Sequence, residues 1–226
     1  MTAPELDTYP ITIYLSCRDL RRSIEFYREK LGFQIKECWP DEEKPMFASL
    51  RIGKQAVLLG AHMPPEEAGK WCGDDQKARE LFQATARDFE ANKPGAGVMI
   101  YLAVDDVDAY HETLRDRGLE LIEPTTQFYG QRDFPLEDPE GYRLCFYMPV
   151  KMESCQSCGM PLAEAKPGQM YCHYCQDEYG KLKPYEAVLE GTIQGYFIAM
   201  QKMERPEAEQ AAKEHLAKMP AWTGRD

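Results

Sequence analysis

Two CxxC pairs in the last third of the chain restrict its possible folds more than any other feature of the sequence. Cys155 and Cys158 form the first pair, and Cys172 and Cys175 form the second after a short loop. Four thiolates at this spacing can close a tetrahedron around Zn²⁺ and leave no open position for a substrate. The pattern therefore predicts one structural zinc ion per chain.

The other chemistry-bearing residues near this motif have simpler interpretations. His173 could replace a cysteine as a ligand, but four thiolates are available. We therefore expect its side chain on the surface of the knuckle, the short loop between the two cysteines of a CxxC pair. The remaining cysteines are scattered, which suits a reducing cytoplasm better than a disulfide framework. They are Cys17, Cys38, Cys72 and Cys145.

Composition narrows the class of protein. A chain of 226 residues is long enough for one large domain or two smaller ones, and its net charge of −11 argues against nucleic acid and anionic membranes as partners. No apolar run approaches the roughly 20 residues of a membrane span, and the first residues lack the features of a secretory signal. We therefore expect a cytoplasmic protein.

An internal repeat organises the first 150 residues. Residues 13–19 (Ile-Tyr-Leu-Ser-Cys-Arg-Asp) match residues 100–106 (Ile-Tyr-Leu-Ala-Val-Asp-Asp). In each copy a strand leads to an aspartate suited to cap a helix, the helix ends at a glycine, and three strands follow. The repeat predicts two βαβββ modules, at about 9–60 and 98–149, joined by a helix within residues 74–92.

Individual elements follow from local patterns. The first copy is predicted to have strands at 9–17, 33–39, 46–52 and 55–60, and the second copy ends with strands at Leu119–Glu123, Gln127–Leu136 and Tyr142–Met148. Residues 138–141 (Asp-Pro-Glu-Gly) are typical of a solvated type I turn, and this interpretation is favoured over a carboxylate pair for acid–base work.

The region after the cysteines is predicted to be helical. Two helices with apolar stripes are predicted to begin at Pro184 and Pro206. Their apolar faces could pack on the ribbon formed by the four cysteines, on the first domain or on a second chain. His111 and His215 lie on predicted helices with charged neighbours and are expected to be solvated. The whole chain is predicted to be α+β, with domains at 1–150 and 151–226.

The repeated module resembles the vicinal oxygen chelate superfamily, which includes glyoxalases, extradiol dioxygenases, and fosfomycin- and bleomycin-resistance proteins. Residues 17–33, 104–109 and 138–141 carry the resemblance, which covers about 9–149. It implies paired modules that curl into a cupped mixed sheet around a functional cavity, and it implies a homodimer, although two modules in one chain could also close a cavity alone. Residues 153–222 resemble a zinc-ribbon family of small bacterial proteins, which implies zinc binding but no established activity.

Enzymes of the superfamily mostly hold a divalent metal with His, Glu or Gln from the first and last strands of each module. In this sequence those positions fall at Thr12, Met99, Val57–Leu59 and Cys145, and none is a carboxylate or an imidazole. His62 is the nearest imidazole and lacks partners. The resemblance therefore favours the bleomycin-resistance type, in which a metal-free cavity sequesters a small molecule.

The predicted cavity residues follow from strand phase, and each aromatic among them could equally be core. The Arg132 guanidinium is predicted to bind an anionic or planar ligand. Cys145 is expected to be an inert buried thiol. No catalytic residue is predicted. The shared concave face is predicted to contain Thr12, Tyr14, Met99, Tyr101, Cys145 and Tyr147, with Trp39, Phe47, Phe128 and Arg132 on the rim or wall.

Three functional hypotheses result. The favoured one is a small-molecule binding protein for an aromatic or antibiotic-like ligand, with the zinc ribbon as a stabiliser or docking surface. The second is a metal-dependent enzyme of the glyoxalase or dioxygenase type with atypical ligands such as His62 or Cys145. The third is a ligand-sensing regulatory protein whose ribbon and final helices bind a partner.

Overall fold

A computed structural model describes residues 12–70 and 72–224 of the chain. By its internal contacts the chain forms two compact units. The first comprises residues up to Glu123 together with Phe134–Phe146, and the second comprises Pro124–Asp133 together with residues from Tyr147 onward. The predicted first strand begins at residue 9, so its first three residues lie outside the described part.

The first module has the predicted βαβββ order. Its sheet has the strand order β1-β4-β3-β2, in which β1 runs parallel to β4 and the other neighbours are antiparallel. A π-helical segment, Phe26–Lys30, continues the helix. The elements are β1 (Ile13–Cys17), α1 (Leu20–Glu25), β2 (Gln34–Trp39), β3 (Phe47–Ile52) and β4 (Gln55–Ala61).

Local sequence signals set the ends of the first helix. The Asp19 side chain accepts a hydrogen bond from the Arg22 backbone N–H at 3.0 Å, which satisfies a free donor at the helix start. Gly32 adopts φ +82°, the left-handed conformation that ends many helices. The predicted apolar positions from Leu20 to Leu31 form the buried face, so the cap, the period and the terminator are all confirmed.

The predicted connecting helix and the second module follow. The Asp75 carboxylate caps α2 through the Ala78 backbone N–H at 3.0 Å. The second sheet has the order β5-β8-β7-β6. The elements are α2 (Gln76–Ala91), β5 (Met99–Ala103), α3 (Val107–Asp116), β6 (Thr125–Thr126), β7 (Gln131–Glu137) and β8 (Arg143–Pro149).

The predicted strand at Leu119–Glu123 is wrong. This segment has no regular structure, and the two residues of β6 pair with Arg132 and Asp133 instead. Extending that antiparallel register would set Glu123 opposite Pro135, which has no N–H to donate to a ladder. The predicted strand at Gln127–Leu136 also begins later, because residues 127–130 form the loop of the hairpin and the Gly130 N–H donates to the Gln127 carbonyl at 3.1 Å.

Within the first unit, the helices of the two modules meet at their C-terminal ends. The Arg117 guanidinium donates to the Lys30 carbonyl at 2.9 Å, and the Lys30 ammonium donates to the Arg117 carbonyl. The Tyr110 hydroxyl donates to the Leu31 carbonyl at 2.7 Å. Side chains of each helix thus satisfy carbonyls left free at the end of the other.

The second unit packs its helices on the cysteines. These helices are α4 (Tyr185–Thr192), continued by a π-helical segment at Ile193–Ile198, and α5 (Arg205–Leu216), followed by a 3₁₀ turn at Pro220–Trp222. Their buried side chains Val188, Leu216 and Trp222 form one cluster with Cys155, Cys172 and Cys175. Of the three packing surfaces left open by the sequence, the ribbon is therefore one that the helices use.

Among the described residues, no helix combines the length and the apolar character that a membrane crossing requires.

Candidate functional site

The four predicted zinc ligands lie together. The Sγ atoms of Cys155, Cys158, Cys172 and Cys175 are all within 4.8 Å of one another, and those of Cys158 and Cys172 are 3.7 Å apart. A tetrahedron with Zn–S bonds of about 2.3 Å has edges of roughly 3.8 Å. The donor set and its spacing therefore fit a four-thiolate zinc ion. Within residues 12–70 and 72–224, no other group of three or more His, Cys, Asp or Glu side chains gathers its ligand atoms in this way.

Backbone and thiol donors converge on one of these sulfurs. Hydrogen bonds from the thiols of Cys158 and Cys175 hold the pKa of Cys155 well below its usual range, and the backbone N–H of Cys172 donates to the same Sγ at 3.3 Å. The hydrogen bond with Cys155 raises the pKa of Cys158 to about 12. The cluster thus stabilises thiolate character at Cys155, and thiolate is the form that binds metal.

Residues from the end of the chain complete this centre, and sequence reasoning missed them. His215 was expected to be solvated, which is wrong, because it is half-buried with Nε2 2.8 Å from the Cys158 carbonyl. Trp222 donates from Nε1 to the Ser157 carbonyl at 2.9 Å. Its sequence signal was a single tryptophan after two helices, which does not reveal a contact 65 residues away. His173 is exposed, as expected for a knuckle surface, and its ring contacts the Tyr174 ring in a tilted arrangement.

Three of the predicted cavity residues lie on the exposed face of the first sheet. Cross-strand pairing puts Trp39 opposite Phe47, and Phe47 opposite Gly60. The Tyr14 ring lies over Gly60, where an added Cβ would overlap its hydroxyl. Tyr14 and Trp39 are 55% and 53% exposed, so the rings form an accessible aromatic row across the sheet. Thr12 is exposed directly before β1.

A second set lies on β5 and β8. Met99 and Tyr101 are exposed, whereas the intervening Ile100 is buried, as the period of a half-buried strand predicts. Cys145 is buried at 3% exposure, which agrees with the expected buried cysteine.

The remaining predicted residues lie in the second unit. Phe128 is 54% exposed and packs edge-to-face on Tyr129, with ring centroids 5.2 Å apart. Arg132 is half-buried, and its guanidinium donates to Thr126 Oγ1 at 3.3 Å. Tyr147 is half-buried in β8. The predicted ligand-binding residues therefore lie on both sheets and in both compact units, and their joint role stays a prediction.

The acidic turn of the second module is a turn, but the expectation that it is solvated is wrong. Asp138 is buried, and its Oδ1 accepts the backbone N–H groups of Glu140, Gly141 and Tyr142 at 3.0, 2.9 and 2.9 Å. Burial raises the pKa of Asp138 above its ordinary value. Glu140 accepts the backbone N–H of Asp19 at 2.9 Å. Both carboxylates therefore hold backbone of the first unit in place.

Two further histidines pack against neighbouring side chains. His62 Nε2 lies 3.1 Å from Glu90 Oε1, and its ring packs on Phe89. His111 was expected to be solvated, which is wrong, since it is buried against Phe134 and no described residue hydrogen-bonds its Nε2. It shares the inward face of α3 with Val107 and Leu114, at helical spacing.

These features define a class of protein: paired βαβββ modules in a mixed α+β fold, followed by a four-cysteine ribbon with helices. Residues 11–146 match the family model of the Glyoxalase/Bleomycin resistance protein/Dioxygenase superfamily, and the chain belongs to that superfamily. Residues 154–223 match the model described as "Putative zinc ribbon domain".

Three solved structures illustrate what the chain is similar to. A glyoxalase/bleomycin resistance protein/dioxygenase from Nocardioides is 22% identical, with 73% of this chain and 92% of that chain covered and a TM-score of 0.44. The bleomycin resistance determinant of transposon Tn5 is 19% identical (62% and 98% covered, TM-score 0.41). Lactoylglutathione lyase from Agrobacterium tumefaciens is 16% identical (63% and 95% covered, TM-score 0.44). No curated protein matches the sequence significantly.

Proposed function

We propose that this protein binds an aromatic or antibiotic-like small molecule on the exposed face of its first sheet. The observation that carries the proposal is the aromatic row of Tyr14, Trp39 and Phe47, two of whose rings are more than half exposed. Flat rings on a rigid sheet offer stacking surface at little cost in side-chain entropy. A ligand-binding role for the other predicted residues stays a prediction.

The residues at the metal-ligand positions of the superfamily support binding over metal-dependent catalysis. Thr12 and Met99 are exposed but offer a hydroxyl and a thioether, while Val57 and Leu59 are buried hydrocarbons. Neither set resembles the oxygen- and nitrogen-rich ligands of a catalytic divalent ion. Cys145 is a single buried sulfur, which by itself makes a poor site for such an ion.

The ribbon is proposed to hold one structural Zn²⁺ through Cys155, Cys158, Cys172 and Cys175. When bound, such an ion contributes its binding free energy to the folding of the ribbon. The chain's own contribution is the buried cluster that surrounds the sulfurs and excludes water from them. This role leaves no position for a substrate at the metal.

A homodimer in the cytoplasm is part of the proposal. Met99 and Tyr101 on the second sheet are 43% and 49% exposed. Large apolar side chains clustered on a surface commonly mark a binding interface. We keep 1–150 and 151–226 as the proposed domain boundaries.

Calorimetric titration tests the binding proposal, with bleomycin and planar aromatic compounds as ligands. Replacing Trp39 or Tyr14 by alanine should weaken binding by about tenfold, which corresponds to about 1.4 kcal/mol. Phe82→Ala is the matched control, because Phe82 is 55% exposed on α2, outside the aromatic row. Equal affinities for wild type and a Tyr14→Ala/Trp39→Ala double variant would contradict the proposed site.

One observation favours a second candidate, a regulatory protein whose tail binds a partner. Two apolar side chains are exposed near the end of the helix that begins with α4. They are Tyr196 and Met200, four residues apart, at 45% and 70% exposure. A partner protein could cover this apolar pair. Crosslinking at position 200 in cell extract, compared with crosslinking at Tyr179 as an exposed control, tests the idea. Salt-sensitive binding to duplex DNA would instead point to nucleic acid, against the expectation from the charge of −11.

A further inference from the structure

Three successive carbonyl groups of the first cysteine knuckle receive hydrogen-bond donors from the end of the chain. The Gln156 carbonyl accepts the backbone N–H of Ala221 at 3.0 Å, and the Ser157 carbonyl accepts Trp222 Nε1–H at 2.9 Å. The Cys158 carbonyl lies 2.8 Å from His215 Nε2. Because a carbonyl only accepts, that ring nitrogen must carry the proton.

The Trp222 contact acts on a peptide unit that carries a predicted metal ligand. The carbonyl of the Ser157–Cys158 peptide accepts the indole N–H, and the carbonyl of the next peptide lies 2.8 Å from His215 Nε2. A trans peptide is planar, so fixing its carbonyl also fixes the direction in which the chain enters Cys158. Trp222 and His215 therefore fix the backbone on both sides of the Cys158 side chain.

Packing makes this arrangement rigid. Trp222 is 7% exposed, and it lies in the cluster that contains Cys155 and Val188. Its ring meets Tyr185 edge-to-face, with centroids 5.1 Å apart. Gly159, directly after the knuckle, adopts φ +74°, and a Cβ there would lie 3.4 Å from Met219 Sδ. The knuckle and the chain end are thus in van der Waals range, and the positive φ favours glycine at this position.

We propose that Trp222 is a positioning residue of the zinc site, which raises zinc affinity by orienting the Ser157–Cys158 peptide and with it the Cys158 ligand. His215 has the same role at the Cys158 carbonyl. These residues touch no metal and act through the knuckle backbone. Replacing residues that orient metal ligands commonly lowers metal affinity by about 10–100-fold.

The test is competitive zinc titration of the full chain against a chromophoric chelator. Trp222→Phe keeps an aromatic ring and removes the N–H, and it should lower zinc affinity at least about tenfold. Val188→Ala is the matched control, because Val188 is equally buried in the same cluster but makes no hydrogen bond through its side chain. This control should lower the melting temperature while changing zinc affinity less than about threefold.

The absorption spectrum of the Co²⁺ form provides a readout that general loss of stability does not produce. The Trp222→Phe protein should keep four-thiolate bands but with shifted energies, since the orientation of the Cys158 ligand changes. Should Trp222→Phe fail to fold, His215→Phe provides the same comparison, with a loss of affinity expected at the second carbonyl. Equal affinity losses in Trp222→Phe and Val188→Ala, or unchanged affinity and spectra in Trp222→Phe, would overturn the proposal.

Discussion

The Tyr27 hydroxyl donates a hydrogen bond to the Asp138 carboxylate at 3.1 Å, although 111 residues separate the two in sequence. Tyr27 lies on the helical segment of the first module, and Asp138 lies in the acidic turn of the second. Both side chains are buried, so the bond ties the two modules together inside the first unit. It joins a residue of the predicted apolar stripe to a residue expected in solvent.

Removing this hydroxyl should destabilise the first unit. Hydrogen bonds to charged groups contribute about 1.5–3 kcal/mol, so Tyr27→Phe should lower the free energy of unfolding by about that amount. Urea denaturation measures the change. Tyr174→Phe is the control, because Tyr174 is 65% exposed, and it should leave the midpoint unchanged. A midpoint for Tyr27→Phe equal to that of the control would show that the bond contributes nothing.

The buried Asp138 should make stability depend on pH. Burial raises its folded-state pKa above the ordinary 3.8, so the folded state binds this proton more tightly than the unfolded state. The resulting stability is fully present below pH 3.8 and is lost as pH rises through the folded-state pKa. The difference in unfolding free energy between wild type and Asp138→Asn should therefore decrease as pH rises from 3.8. A difference that stays constant or increases would refute this sign.

Adding a methyl group at Gly60 should separate ligand binding from folding. The new Cβ would overlap the hydroxyl and two ring carbons of Tyr14, so this half-exposed ring must move away, and alanine in a strand is favoured over glycine by about 0.5–1 kcal/mol. We expect Gly60→Ala to fold with unchanged or slightly higher stability, and to bind aromatic ligands about tenfold more weakly. Gly53→Ala is a poor control because of its φ of +54°, so Phe82→Ala serves again. Unchanged ligand affinity in Gly60→Ala would exclude Tyr14 from the site.

Thiol reactivity should report both burial and zinc binding. Burial raises the pKa of Cys17 to about 12, so iodoacetamide should not modify it in the native protein, whereas half-buried Cys72 should react. After zinc removal by a chelator, the four ribbon cysteines should become reactive, and all eight should react in urea. Peptide mass mapping measures each site. Modification of Cys17 as fast as Cys72 would contradict the closed core around β1.

Much of the fold could be predicted because it rests on local rules. The zinc cysteines follow from spacing, the helix start from the Asp19 cap, the helix end from Gly32, and the module repeat from matching segments. The strand error at Leu119–Glu123 has a non-local origin, since β7 carries Pro135 where a ladder would need a donor. Alternation alone cannot identify the partner strand.

The candidate sites divide in the same way. The sequence by itself determined which residues could bind zinc and which aromatic side chains share a strand face, because both depend on spacing along the chain. Only the tertiary structure decided that Asp138 is buried, that Trp222 and His215 hold the cysteine knuckle, and that residues 124–133 belong to the compact unit of the ribbon. These facts depend on contacts between residues far apart in sequence. Burial makes such contacts necessary, because a polar group removed from water needs a hydrogen-bond partner.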